Sequence, residues 1–451
     1  MSTSVLSQAA PSYNAPARPA SASTRHRIAS LDIVRGVVVV LMAIDHVRVY
    51  SGQPAGGPSP GIFFTRWITH FVAPAFLFLA GTAAYLYGQR SKDRGKLARF
   101  LLTRGVWLVL LELTVLRVAW TFNFDYAHYM LAGVIWMIGW CMVLMAGIVY
   151  LPTAAIAALG IGIIVLHNLT DYFPALLAAM RQGVLAPVWK TLYAGGAIRF
   201  GANGPPLIIL FVLVPWIGVM AAGYAYGSVM TLSPERRRSI SLRLGLAVTA
   251  AFILLRAIDL YGDPRSWSRA PIALQRPATT NPLRPTPPSP APAATPASQA
   301  PNRVVAPTPT PRPQMPKALA FLNTNKYPAS LSFLLMTLGP MLVLLGLVEY
   351  ARGPIAGVLE TFGRVPFFYY LLHIPLIHLA AVVVSFIRDG SADPWLFTNH
   401  PMMNPPPPPG YVWSLPLLYL VWAIVIGVLY VACRWYAGVK AKSRSRWLSY
   451  L

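Results

Sequence analysis

Apolar residues along this chain fall into long blocks separated by short polar or basic stretches. Each block runs to about 20 residues, the length of helix that crosses a hydrocarbon core. The first is SLDIVRGVVVVLMAIDHVRVY, Ser30 to Tyr50. Nine more follow, at 64–88, 99–120, 130–150, 152–169, 206–229, 240–260, 328–350, 366–387 and 411–434. The pattern predicts an all-α polytopic membrane protein of about ten transmembrane helices, because a helix satisfies its own backbone in lipid. The chain divides accordingly into a Ser/Ala/Pro-rich tail (1–27), helices one to seven (28–261), a Pro-rich loop (262–326), helices eight to ten (327–435) and a basic tail (436–451).

Composition agrees with the pattern. Of 451 residues, 56% are hydrophobic and 11% charged, and the mean hydropathy is +0.54. The net charge of +24 raises the question of nucleic acid. The basic residues, however, sit beside the apolar blocks, where they attract anionic lipid and set topology, so nucleic acid is excluded as a partner. With the N-terminus inside, the inner loops hold Arg90, Lys92, Arg94, Lys96 and Arg99, then Arg236, Arg237, Arg238 and Arg243, then Arg352 and Arg364. The loop 121–129 opposite carries no Lys or Arg. This asymmetry predicts that both termini are cytoplasmic. The stretch 262–317, with RPTPPSPAPAATPASQAP at its centre, then lies outside and is expected to stay extended and unpacked. Asn404 to Gly410, NPPPPPG, reads as a second stiff outer turn. Cys141 and Cys433 fall inside apolar blocks and suggest neither a disulfide nor a zinc site.

Charge inside the apolar blocks is what calls for explanation. Asp45, His46 and Arg48 fall in the outer part of the first helix, His70 in the outer half of the second, and Glu112, Arg117, Arg256 and Asp259 at middle to outer depth. A charge at the centre of a spanning helix costs about 2.5 to 3.5 kcal/mol, so these side chains are expected to face one another or a wet cavity. Some have purely structural readings: a cap at Ser30 with an Asp32–Arg35 pair, an Arg256–Asp259 pair, and Arg48 as the local partner of Asp45. His373 and His378, five apart around Pro375, are poorly spaced for a shared metal and read as core or rim residues; no metal site is predicted. His46 is a titratable group on a spanning helix among acids and bases, and such a group is a functional candidate. Arg35 precedes it by 11 positions, three helical turns and about 20°, so the two share one face about 16 Å apart. A proton relay in a transporter or permease would use the same Asp, His and Arg residues, and is the alternative reading.

The opening SLDIVRGVVVVLMAIDH resembles the start of bacterial membrane proteins of the heparan-alpha-glucosaminide N-acetyltransferase-like family. Its arginine, ten residues, histidine spacing also resembles the first helix of acyltransferase-3 proteins. The likeness continues in WITHFVAPAFLFLAG, PWIGVMAAGYAYG, KYPASLSFLLMTLGP and GRVPFFYYLLHIPLIH, and so covers 28 to 435. The resemblance implies an acyltransferase of the bacterial plasma (inner) membrane. It would move an acetyl group from cytosolic acetyl-CoA to an amine or hydroxyl of a sugar or glycan on the outer side. The family motifs fall on Arg35 and His46, and on Thr69 and His70. With acyl-transfer chemistry added, His46 is expected to act as base or as an acetyl-carrying nucleophile. His70 would hold the acceptor or shuttle its proton, Asp45 would tune the charge, and Arg35 would meet the CoA pyrophosphate. Membrane lipids and the glycan acceptor are the expected partners, with a homo-oligomer left open.

Overall fold

The structure is a computed structural model that describes residues 27–443 apart from 174, 175, 177, 178, 181, 182, 202, 203, 269–314 and 402–404. Helices dominate it. In chain order they are α1 (Ala29–Tyr50), α2 (Pro60–Trp67), α3 (Val72–Ser91), α4 (Arg94–Leu111), α5 (Arg117–Thr121), α6 (Val134–Ile148), α7 (Thr153–Leu166) and α8 (Ala186–Trp189). There follow α9 (Val214–Tyr226), α10 (Pro234–Ile258), α11 (Lys317–Leu322), α12 (Leu331–Leu347), α13 (Pro354–Arg364), α14 (Pro366–Asp389) and α15 (Leu415–Lys442).

Every predicted block holds a helix. Among the described residues, six helical stretches are long and apolar enough to cross a membrane: Pro60–Ser91, Thr153–Tyr172, Pro234–Ile258, Leu331–Tyr350, Pro366–Asp389 and Leu415–Lys442. The chain is a polytopic, mainly helical membrane protein. α1 has the length but carries Asp32, Arg35, Asp45 and Arg48, which is why composition alone does not make it a lipid-facing span. It is instead enclosed. Val34, Val39, Ala43, Val47 and Tyr50 along it are wholly buried.

Small residues let the helices approach. A Cβ on Gly81 would stand 2.0 Å from the Met220 carbonyl of α9, and one on Gly36 would stand 2.0 Å from the Leu359 carbonyl of α13. Backbone contact of this kind replaces the hydrophobic drive that is weak between helices in lipid. It presses α13 against the first half of α1 and so fixes where the charged residues of α1 point.

Three short strands depart from the all-helical expectation. β1 (Met130–Ala132), β2 (Gly196–Arg199) and β3 (Pro206–Ile209) form a sheet in the order β1-β3-β2, with β1 parallel and β2 antiparallel to β3. The predicted helices at 130 and 206 therefore begin later, at Val134 and Val214. Gly133 in extended conformation and Pro215 at the helix start mark the switches. Strands here satisfy backbone groups at the wall of a cavity, where irregular chain is tolerated at membrane depth.

Two local expectations are corrected. Ser30 does not cap α1, because the helix already starts at Ala29 after Ile28; its hydroxyl donates to Glu349 at 2.8 Å, while the Asp32–Arg35 pair stands at 3.1 Å. Arg256 does not pair with Asp259. Asp259 is the left-handed C-cap of α10, φ 54°, so its side chain leaves the helical path and accepts from Ser266 and Ser268. Arg256 instead meets Asp263 at 3.5 Å and donates to the carbonyls of Ala320, Phe321 and Asn323.

These contacts also correct the expectation that 262–317 stays wholly unpacked. Its centre, 269–314, lies outside the described residues, but both ends are built into the fold. Asp263 accepts from the Asn325 amide at 2.9 Å, Gly262 accepts from Ser332 at 2.8 Å, and Phe321 of α11 packs edge-on against Phe252 and Trp267. Burial pushes the Asp263 carboxyl up, and Arg256 opposes that shift.

Candidate functional site

The outer part of α1 places Asp45 and His46 about 100° apart around the helix, so they meet different neighbours. Asp45 is clamped by two arginines: Arg48 on its own helix at 2.8 Å and Arg66 of α2 at 2.5 Å. His46 turns instead toward α14. Its Nδ1 lies 2.6 Å from Nε2 of His373, and its ring stands edge-on to Trp120 at 4.7 Å.

His373 decides the protonation of this pair. Its Nδ1 lies 2.6 Å from the Tyr370 carbonyl, which can only accept, so Nδ1 carries the hydrogen. Nε2 of His373 then holds a lone pair, and the short contact requires Nδ1–H of His46 to donate to it. The remaining nitrogen of His46, Nε2, is left basic. A second group fixing the tautomer of a histidine is how such a base is usually oriented. His373 is wholly buried, as a core residue, and is also the partner of His46. His378 stays in an aromatic stack with Phe122 at 3.8 Å and Tyr50 at 4.7 Å. Among the described residues no cluster of three or more His, Cys, Asp or Glu could hold a metal.

His70 lies in the 3₁₀ turn Ile68–Phe71 between α2 and α3, buried, with its Nδ1 unpartnered and its ring edge-on to Phe333 at 5.4 Å. Asp45, His46 and His70 line one cavity of about 920 Å³, so the three predicted site residues come together. The same cavity takes in Glu112, as its depth in the third block suggests, and also Arg66 and Lys326, which the sequence reading did not place there. Glu112 is buried and accepts from the Ile135 amide at the start of α6 at 3.1 Å.

Arg35 belongs to a second cavity, of about 570 Å³. Asp32 steadies it, and Arg27 reaches the same carboxylate at 2.9 Å. Arg90 and Arg104 add to the basic lining, while Phe76, Phe100, Leu108 and Ile138 make the rest apolar. Of the basic loop at 90–99, only Arg90 lines it. Val134 and Tyr370 line both cavities, so the two voids meet back to back at these residues.

Residues 27–257 match the family model for the catalytic region of heparan-alpha-glucosaminide N-acetyltransferase, just over half of the chain. The chain belongs to this family. Acetyl transfer is accordingly its class of activity. No curated protein matches it individually. The family match takes in Arg35, Asp45, His46, Arg66, His70 and Glu112, whereas Lys326, Tyr370 and His373 come from the part beyond it. The candidate site thus draws residues both from the matched part and from α14 and the segment before α12.

Proposed function

We propose that the protein transfers acetyl from acetyl-CoA, bound in the smaller cavity on the cytosolic side, to an amine or hydroxyl of a sugar or glycan in the larger cavity on the outer side of a bacterial plasma membrane. The observation that carries this reading is the position of His46. It lines one cavity with a basic Nε2, while Tyr370, whose carbonyl orients His373, lines both cavities. The arginines of the smaller cavity suit the phosphates of CoA, and its apolar lining suits the pantetheine arm.

In the reaction the acceptor N–H or O–H gives its proton to Nε2 of His46 as its lone pair attacks the thioester carbonyl. The C–S bond then breaks, and CoA leaves as a thiolate that takes up a proton. His46 carries positive charge in between, and the Asp45 carboxylate one residue away lowers the cost of that charge. His70, on the wall of the same cavity, would hydrogen-bond the acceptor. Nε2 is equally suited to carry the acetyl group itself, as a covalent relay between donor and acceptor.

The test is vectorial transfer. Protein reconstituted in vesicles is given radiolabelled acetyl-CoA on one side and glucosamine on the other, and N-acetylglucosamine is sought on the glucosamine side. Its appearance supports the reading. Glucosamine flux without acetylation would favour the transporter alternative, and acetylation only when both substrates share one side would overturn the sidedness.

A further inference from the structure

The larger cavity carries more positive charge than its carboxylates balance. Arg48, Arg66, Arg265 and Lys326 line it, against Asp45 and Glu112. Asp45 is already engaged by both Arg48 and Arg66, and Glu112 by the Ile135 amide. All 13 Asp and Glu residues lie among the described residues, and none forms an ion pair with Lys326. The centre of the proline-rich segment, 269–314, holds no acidic residue.

Lys326 is held in place nonetheless. Its ammonium sits over the rings of Tyr327 at 5.2 Å and Phe211 at 5.9 Å. The backbone around it is pinned by the Asn325 amide on Asp263 and by the Ser330 amide on the Asn325 carbonyl at 2.9 Å. The Asp45 carboxylate and the Tyr327 hydroxyl offset only part of the cost of burying this cation, and Asp45 is shared with Arg48 and Arg66, so a ligand anion would still be favoured. Burial, with the Arg66 guanidinium next, draws the Lys326 ammonium below the usual lysine range, a penalty that a bound anion would relieve.

We propose that Lys326 and Arg265, one from each end of the proline-rich segment, form a subsite for a negatively charged substituent on the acceptor sugar: a sulfate, phosphate ester or carboxylate. Calling that ligand an acceptor rests on the acyl-transfer reading above; the anion subsite rests on the cavity alone. The segment then does more than link α10 to α12. Its anchored ends select among acceptors, while His46 acts on the amine or hydroxyl. Lys326 and Arg265 are specificity-determining residues here and take no part in bond making.

Binding and turnover are measured separately on the full chain in detergent. Glucosamine, glucosamine 6-sulfate, glucosamine 6-phosphate and muramic acid, which bears a carboxylate, are titrated against the fluorescence of Trp67, Trp120 and Trp395 in the cavity wall. A hydrogen bond to a charged group contributes about 1.5 to 3 kcal/mol, so the wild type is expected to bind at least one anionic sugar about 10- to 100-fold more tightly than glucosamine. Lys326→Gln should bring that ratio close to 1, Lys326→Arg should retain most of it, and Arg265→Gln should lower it in part. The three anionic sugars separate sulfate, phosphate and carboxylate as the preferred group. Equal binding of glucosamine and all anionic sugars by the wild type, or an unchanged ratio in Lys326→Gln, overturns the subsite. Acetylation of neutral and charged sugars alike would also overturn it while leaving acyl transfer standing. Lys326-dependent binding with no acetylation would support the subsite and sink the transfer reading.

Discussion

His46 and His373, 327 positions apart in the chain, face each other nitrogen to nitrogen at 2.6 Å. The contact has a direction, because the Tyr370 carbonyl obliges His373 to receive the hydrogen from His46. His373→Phe keeps the ring volume and its stacking but removes the acceptor. His46 would then no longer be held with Nε2 free. Turnover is expected to fall about 10- to 100-fold, with little change in the KM for acetyl-CoA, as for the loss of a supporting partner behind a functional histidine. The pH profile of kcat should shift as well, since the partner of the base has changed. Unchanged kcat and pH profile would mean that His373 only fills space.

Arg35 lies one cavity away from His46 and should affect a different constant. Arg35→Ala leaves Arg27 to pair with Asp32, so the fold of α1 is expected to persist. Losing one charge-assisted contact to phosphate should weaken acetyl-CoA binding by about 10-fold or more. Titration calorimetry with acetyl-CoA reads this directly. Binding as tight as in the wild type would remove Arg35 from the donor site.

His400, in the loop after α14, tests burial rather than catalysis. It stacks on Trp395 at 3.7 Å with its Nε2 unpartnered, and burial, reinforced by nearby His378, pushes its imidazole down to about 3. In the unfolded chain it titrates near 6.5, about the ordinary histidine value. Between those two values the unfolded state binds a proton that the native state refuses. Stability is therefore unaffected by His400 above pH 6.5 and falls as pH drops toward 3, by up to about 2 kcal/mol at pH 5. His400→Phe should keep the stack and lose part of the fall in thermal midpoint between pH 7 and 5. An identical fall in both proteins would show that His400 is free to take up its proton while folded.

Much of this architecture is legible in hydrophobic spacing. The helical blocks, the i,i+3 pairing of Asp45 with Arg48 and the shared face of Arg35 and His46 all follow from helix periodicity, and each is local. What escapes the sequence is pairing over distance. Arg66 reaches Asp45 because α2 packs against α1, and no spacing rule anticipates that contact. His373 looked like a core residue because an apolar helix gives no sign of which residue it faces. One signal was available: a histidine at mid-depth in an otherwise apolar helix has a polar group to satisfy, and His46 is at comparable depth. The ends of the proline-rich segment were hidden by their neighbours' composition. Asp263 and Asn325 lie 62 positions apart, and only the fold brings them within 2.9 Å.

The central claim is that Nε2 of His46 is the base or nucleophile of acetyl transfer, and the most direct measurement compares His46→Ala with His70→Ala. Acetyl turnover, acetyl-CoA affinity and thermal stability are recorded for both. Loss of a general base lowers turnover by about 10²- to 10⁴-fold, and His46→Ala is expected to do so with acetyl-CoA affinity and stability retained, because its side chain lies in the larger cavity and away from Arg35. His70→Ala is expected to show the smaller loss of a group that only positions the acceptor. Near-normal turnover in His46→Ala would contradict the account, and abolition of turnover by His70→Ala in the same experiment would move the base to His70.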